Sequence, residues 1–480
     1  MTFRADATIA IDALDEFAAR ALRRDGPVIR QPGLADLHHQ LDLERLIASG
    51  GLEGETLRRF LETYLAASTR LQHPACMAHQ VAVPLPHSAI AALIDGFMNN
   101  AMAIYEMGPA AATVENAVLD WMLGKVGWPI SSLSGSSSAT ARGAVHGGGV
   151  LTHGGSLANL TALIAARGRI APKAFEQGSP AGLVIVCSPN SHYSVARAAG
   201  IMGLGQKAIR HAPTDRLGRI DASRLAGFLA TLDDEGARPL AVVANACGTA
   251  LGLYDPLRAI AGVCRERGVW LHVDGAHGAS ALVSARLRHL LDGIELADSV
   301  IWDAHKMLRT SVLSAAVLVR DARDLDHAFR EDASYLFHEK DEPGFDFVHR
   351  TVECTKAALG LKVFFALAHA GEHAIAAGIE RQTDLAQAAA AYLSSEPGIT
   401  VAVEPQTNIV CFRFEGSDHL QIELRRRLTE DGDYYISTTE ALGQRWLRLA
   451  LMNPATEMAD IEGLIARLRQ HLAELGQSEQ

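Results

Sequence analysis

Two side chains that follow apolar, β-branched runs are placed to do chemistry together. In S-V-I-W-D-A-H-K-M-L, Lys306 comes directly after His305 at the end of one run. In L-H-V-D-G-A-H-G-A-S, Asp274 closes another run 32 residues earlier. A lysine amine can condense with an aldehyde to a Schiff base, and a carboxylate can keep a pyridine nitrogen protonated so that the ring draws electrons. Pairing the two charges in a low-dielectric site favours the pyridinium. Pyridoxal 5′-phosphate (PLP) is the cofactor that makes both demands at once. Alone, each residue carries less, since lysine is by default solvated and an Asp after a strand is commonly a turn former or cap. Ala276, two residues beyond Asp274, points to the same face and can pack its methyl on the ring.

Two further segments fit the same cofactor. G-V-L-T-H-G-G-S-L-A-N-L places Gly154, Gly155 and Ser156 at the opening of an apolar helix. Small residues there let N–H groups and a hydroxyl approach a phosphate at the positive helix end. The same tripeptide is also an ordinary flexible N-cap. In C-S-P-N-S-H-Y-S-V, His192 stands just past another apolar run and can stack on the ring. A lone histidine in that position is more often a structural hydrogen-bonding group.

These residues need strand ends to hold them. Short apolar runs at Gly182–Cys187, Leu240–Ala244, Val269–Asp274, Ser299–Asp303 and Ala315–Val319 alternate with helical patterns. One helix is expected from the cap Asp255 with Pro256 in its first position, ending at Gly268, and another from the cap Asp221. Such alternation predicts a mainly parallel sheet covered on both faces, with ligand at the carboxyl ends of the strands. Residues 1–100 read as a helical segment, 101–365 as the large cofactor-binding domain and 366–480 as a small α+β domain. The small domain carries runs at Ile399–Val403, Ile409–Phe414, Tyr435–Thr438 and Trp446–Leu451, and helices at Leu420–Leu428 and Met458–Leu475. The Ser/Gly-rich stretch 131–149 reads as a long loop.

Composition narrows the class. At 480 residues with 48% hydrophobic content, the chain can bury a large interior without disulfides. Six scattered cysteines with no CxxC pair read as reduced thiols, and no metal site is expected. A formal charge of −11 argues against nonspecific binding to nucleic acid or an anionic membrane. The N-terminus lacks the basic start, apolar block and cleavage site of a signal peptide, and no apolar run reaches the ~20 residues that span a bilayer. A cytoplasmic enzyme is the expectation.

Taken together, the motifs resemble the group II PLP-dependent decarboxylases, the family of glutamate, cysteine-sulfinate, aromatic-amino-acid and diaminobutyrate decarboxylases. The likeness covers residues 70–460 and follows the family's order: H-x-D-x-A at Asp274 and Ala276, the H-K pair at His305 and Lys306, and N-S-H-Y-S-V around His192. Blocks 105–125 and 248–256 match as well, and 289–302 is most similar to the cysteine-sulfinate and glutamate branch. The resemblance implies a fold-type-I, aspartate-aminotransferase-like α/β architecture and a homodimer with active sites at the subunit interface. It implies catalytic roles for Lys306, His192 and Asp274. The cofactor set it implies is Gly155, Ser156, His192, Thr249 near the phenolic oxygen, Asp274, Ala276, His305 and Lys306. Arg448 would bind a substrate carboxylate, and His79 or Gln80 would line the substrate side, according to a one-residue choice of alignment. The implied reaction is decarboxylation of an L-amino acid, with an acidic substrate (cysteine sulfinate, aspartate or glutamate) expected.

Three positions depart from the pattern. Asp303 stands where many relatives have Asn beside the phosphate, and an acid there repels a dianion unless it is turned away or paired. Ala250 replaces the second Thr of G-T-T. Relatives also carry a loop tyrosine that protonates the substrate carbon after CO2 leaves; the stretch from Leu336 to Cys354 contains Phe337, Phe345 and Phe347 but no tyrosine. Decarboxylation coupled to oxidative deamination, or transamination, therefore stays open as an alternative.

Overall fold

A computed structural model of the chain describes residues 2–130, 145–329 and 346–478. Two compact units emerge, Pro84–Arg381 and the pairing of Met1–Val83 with Gln382–Gln480. The sequence boundaries at 100/101 and 365/366 and these unit boundaries cut the chain in different places, for a backbone reason. Residues 75–77 run beside the small sheet: Tyr435 N–H donates to Ala75 O at 3.1 Å, Met77 N–H to Tyr435 O at 2.8 Å and Ala450 N–H to Met77 O at 2.8 Å.

The larger unit is built on seven strands: β1 (Gly148–Thr152), β2 (Leu183–Cys187), β3 (Ile209–His211), β4 (Arg238–Asn245), β5 (Trp270–Asp274), β6 (Ser299–Asp303) and β7 (Ala315–Val319). Their order is β1-β7-β6-β5-β4-β2-β3. Strands β2 to β6 pair in parallel, while β7 runs antiparallel to both β6 and β1. Every residue of β1, β2, β5, β6 and β7 is buried, which explains why these strands read as unbroken apolar runs without alternation. In-register pairing sets Asn245 beside Asp274 and Asp274 beside Ile301, so β4, β5 and β6 end close together.

Some local expectations are corrected. Gly148 and Gly149, expected in a loop, are the first two residues of β1. A Cβ on Gly149 would lie 2.7 Å from Val317 O, so close backbone approach demands glycine, and glycine in a sequence mimics a loop. Residues 131–144 of that stretch lie outside the described residues. Asp255 does not cap the following helix, which spans Leu257–Arg267 with Pro256 in the cap position. Its buried carboxylate instead accepts from Ile220 N at 2.8 Å and Asn245 N at 2.7 Å, and burial pushes its pKa up to about 6. Asp221 does cap its helix, accepting from Ser223 N at 3.0 Å.

The smaller unit carries an antiparallel sheet ordered β10-β11-β9-β8, from β8 (Ile399–Val401), β9 (Ile409–Phe414), β10 (Ser437–Ala441) and β11 (Gln444–Ala450). Leu424, Leu428, Ile461, Leu464 and Leu468 from two helices pack on Phe412, Phe414, Leu447 and Leu449. In the larger unit a fully buried ion pair joins Lys356 Nζ to Glu115 at 2.8 Å. Glu115 also accepts from Leu151 N at 3.0 Å and so ties β1 to the helix Pro109–Val126. Among the described residues no helix is long and apolar enough to cross a membrane.

Candidate active site

Lys306 lies three residues beyond the end of β6, in a turn that brings its Nζ to 3.3 Å from Asp303 Oδ2. The same oxygen lies 3.6 Å from His305 Nε2, and the other face of the His305 ring is held by Ser314, with Nδ1 2.9 Å from its carbonyl oxygen. Asp303 is 2% exposed, and its Oδ1 finds no hydrogen-bond partner among the described residues. The acid that departs from the family pattern is therefore paired with Lys306, which removes part of its repulsion toward a bound anion.

The helix Gly155–Ile170 opens against this group. A Cβ on Gly155 would meet the Asp303 carboxylate oxygens at 2.8 and 2.9 Å, and Gly154 adopts φ +100°. Only glycine suits either position. The first four N–H groups of a helix lack intrahelical carbonyl partners, and Ser156 beside them is exposed. This is a cradle that a side chain would fill, at the positive end of a 16-residue helix, and it fits a phosphate.

Asp274 closes β5 and is 7% exposed. Its Oδ1 accepts from Ala276 N at 3.2 Å and its Oδ2 from Asn159 Nδ2 at 3.0 Å. Both bonds fix the carboxylate and leave it lone pairs for a further donor, as a pyridinium N–H requires. His192 Nδ1 lies 2.8 Å from Ser194 Oγ, and that hydroxyl in turn accepts from Asn159 at 2.8 Å. Burial lowers the His192 pKa; nearby Lys306 lowers it too, while Asp274 and Asp303 oppose the shift. The imidazole is neutral at pH 7. Thr249 lies exposed in the turn after β4, and Ala276 follows β5.

The smaller unit gathers the residues expected on the substrate side. Arg448, on β11 and 6% exposed, donates from Nη2 to Gln80 Oε1 at 3.1 Å and from Nη1 toward Ala78 O at 3.4 Å. His79 Nε2 pairs with Tyr435 Oη at 2.9 Å instead. His79 and Gln80 have separate partners: Gln80 holds the arginine, and His79 holds a tyrosine. Burial, with help from Arg448 and Arg425, pushes the His79 pKa down. His79 and Tyr435 also line a cavity of about 170 Å³ together with Cys76, Val81, Met452 and Asn453.

Asn159, Ser194, His272 and Tyr435 were not among the expected site residues. Asn159 follows Ser156 by three positions on one helix face, and His272 precedes Asp274 by two on one strand face, so spacing could have flagged both. Tyr435 left no such signal. Phe347 is buried under a short 3-10 turn, whereas Tyr335, Phe337 and Phe345 lie outside the described residues.

Residues 56–415 match the pyridoxal-dependent decarboxylase conserved domain. The chain is 31% identical to mouse cysteine sulfinic acid decarboxylase over 458 residues, covering 90% of this chain and 88% of that one. It is also 31% identical to the mouse acidic amino acid decarboxylase GADL1, covering 87% of this chain and 71% of the relative. The crystal structure of mouse CSAD superposes with a TM-score of 0.86 at 26% identity, over 98% of this chain and 99% of the other.

Proposed function

This chain belongs to the pyridoxal-dependent decarboxylase family, and from that premise we propose that it removes the α-carboxylate of an acidic L-amino acid such as cysteine sulfinate, aspartate or glutamate. The observation that carries this reading is the convergence of Lys306, Asp274 and His192 just past the carboxyl ends of β6, β5 and β2, the edge where α/β sheets bind ligand. PLP, when bound, supplies the electron sink that accepts the electron pair left by the departing carboxylate.

The chain's own residues do the rest. Lys306 would hold the cofactor through its amine. Asp274, anchored on both oxygens, holds the proton at the pyridine nitrogen. His192 would cover the ring face, with the Ala276 methyl as a further apolar contact. The N–H groups at Gly155 and the Ser156 hydroxyl would receive the phosphate, with His305 beside them, and Thr249 would take the phenolic oxygen. Arg448, steadied by Gln80, pairs with the side-chain carboxylate or sulfinate of the substrate, and His79 lines the same side. That pairing is what favours an acidic substrate.

The test is a panel of amino acids assayed for both CO2 and amine. Acidic substrates should give one amine per CO2, and Lys306→Ala should abolish multiple turnovers. Sustained turnover by Lys306→Ala would sink the assignment. The absence of a tyrosine between Leu336 and Cys354 favours one second reading, decarboxylation with oxidative deamination or transamination. Aldehyde with hydrogen peroxide or ammonia among the products would establish it.

A homodimer belongs to the same proposal. Ile90, Leu93, Ile94, Phe97 and Met98 on the helix Pro86–Met98 are exposed, a apolar patch that suits a second copy of the chain. Sedimentation at several concentrations should return twice the 51.3 kDa chain mass. A cytoplasmic location agrees with six cysteines outside any disulfide; fractionation of cells that express the protein tests it.

A further inference from the structure

Asp274 and His192 are joined through a buried hydrogen-bond chain whose direction follows from its Asp274 end. Trp270 Nε1–H can only donate, and it donates to Ser299 Oγ at 2.8 Å. The Ser299 hydroxyl also lies 2.8 Å from His272 Nδ1, a contact that either partner can donate. His272 is fully buried, and burial pushes its pKa down to about 4, so the ring is neutral and holds one proton. The Asp274 carboxylate can only accept, so Asn159 turns its NH2 to Asp274 and its Oδ1 to His272; the ring's one proton therefore sits on Nε2 and is donated to Asn159 Oδ1 at 2.8 Å.

Asn159 then faces two acceptors with its amide NH2. One hydrogen goes to Asp274 Oδ2 at 3.0 Å and the other to Ser194 Oγ at 2.8 Å. The Ser194 backbone N–H can only donate and points at His192 Nδ1 at 3.3 Å, so the 2.8 Å contact between that nitrogen and Ser194 Oγ is donated by the hydroxyl. His192 Nδ1 is therefore an acceptor twice over, and a neutral ring must keep its proton on Nε2. Asn159 is 1% exposed and is the one branch point, since it alone among these groups touches both the Asp274 arm and the His192 arm.

We propose that Asn159 is a positioning residue of this site, fixing the Asp274 carboxylate and, through Ser194, setting the proton of His192 on Nε2. Asparagine suits the branch point for a chemical reason. It is the short side chain that accepts once from His272 while donating twice in a fixed plane. Aspartate there would accept from Ser194 instead of donating, which reverses the His192 arm and sets a second carboxylate against Asp274. The idea rests on the cofactor-site reading for its catalytic consequence, but not for its geometry.

The decisive measurement uses cofactor-free, full-length protein with 15N-labelled histidine, reading ring tautomers by long-range proton–nitrogen correlation. Wild type should show His192 neutral with its proton on Nε2. Asn159→Asp should move the His192 proton to Nδ1 or yield a doubly protonated ring. Ser194→Ala leaves the Asp274 arm intact and keeps only the longer 3.3 Å backbone N–H contact on Nδ1, so it should raise the share of the Nδ1–H tautomer above wild type; it covers the case in which Asn159→Asp fails to fold. If wild-type His192 carries its proton on Nδ1, or if Ser194→Ala and every folded Asn159 variant keep the wild-type pattern, the proposal is overturned.

With PLP added, Asn159→Ala should weaken the visible absorption of the ring-protonated cofactor. It should also cut kcat by roughly 10–100-fold with KM nearly unchanged, the size expected when a reacting group loses its alignment. An unchanged spectrum and kcat would overturn the positioning role. Wild-type protein that takes up no PLP would count against the cofactor reading while the tautomer result stood on its own.

Discussion

The ends of the large sheet and the face of the small sheet around Arg448 both bury charged groups, yet they hold them differently. Asp274 is clamped on both oxygens by donors that are themselves clamped, back through Asn159 and His272 to Ser299 and Trp270. Arg448 is as deeply buried, and its contacts with Gln80, Ala78 and Ser437 run from 3.1 to 3.5 Å against 3.0 and 3.2 Å at Asp274, while its neighbour His79 is exposed and bonded to the Tyr435 hydroxyl. The first arrangement has no slack, as a group that must meet a ring nitrogen in one orientation requires. The second leaves room to adjust, as a group that selects among side chains can tolerate. Under the proposed function, chemistry would be held by a closed network in one region and selectivity would rest on a few separable contacts in the other.

That contrast can be broken by experiment, and the largest effect is expected at Asp274. Asp274→Asn keeps the shape but removes the charge that holds the pyridinium, so kcat should fall by ~10³-fold, the scale of losing one aligned electrostatic group. Steady-state kinetics with saturating PLP checks this, and a loss below about tenfold would mean that the carboxylate is not the partner of the ring.

His272 should give the next largest effect, on stability. Between its ordinary value of 6.5 and about 4, the unfolded chain binds a proton that the native ring refuses. Stability should therefore fall as pH drops through that window, by about 3 kcal/mol at 1.36 kcal/mol per unit. Urea unfolding of cofactor-free protein at several pH values reads the slope, and His272→Gln should flatten it. An equal slope in the variant would assign the acid sensitivity to other groups.

In the smaller unit the changes should be milder and should fall on substrate binding. Arg448→Met should raise KM for acidic substrates by roughly 10–100-fold, the value of about one charge-assisted pairing, with kcat changed far less. A fall in kcat as large as that of Asp274→Asn would erase the distinction between the two regions. Tyr435→Phe should cost under about 1 kcal/mol of stability, the loss of one partly exposed hydrogen bond, and shift relative KM values among substrates within a fewfold range. Chemical denaturation and the same substrate panel measure both.

Strand ends were legible because they coincide with abrupt changes of residue type. Ser299–Asp303 and Ala315–Val319 appear in the fold with the bounds the pattern predicts, and Lys306 and Asp274 stand out as charges closing apolar runs. Strand β1 was hidden because Gly148 and Gly149 serve close backbone packing, and glycine carries no apolar signal of its own. Strand β3 was hidden by its length of three residues, too short for any period to show. Asp255 was misread because the local sequence D-P followed by an apolar helix is what a cap looks like; its acceptors are needed by backbone groups 10 and 35 residues away.

The sequence by itself therefore determined the α/β alternation and the cofactor, and it singled out Lys306, Asp274 and His192, because each depends on residue type within a few positions. Only the tertiary structure decided how those residues are held: the pairing of Asp303 with Lys306, the separate partners of His79 and Gln80, and the branch at Asn159. The physical reason is that a hydrogen bond is settled by position in space. Asn159 and Asp274 are 115 residues apart along the chain and 3.0 Å apart in the fold, and no local pattern encodes that distance.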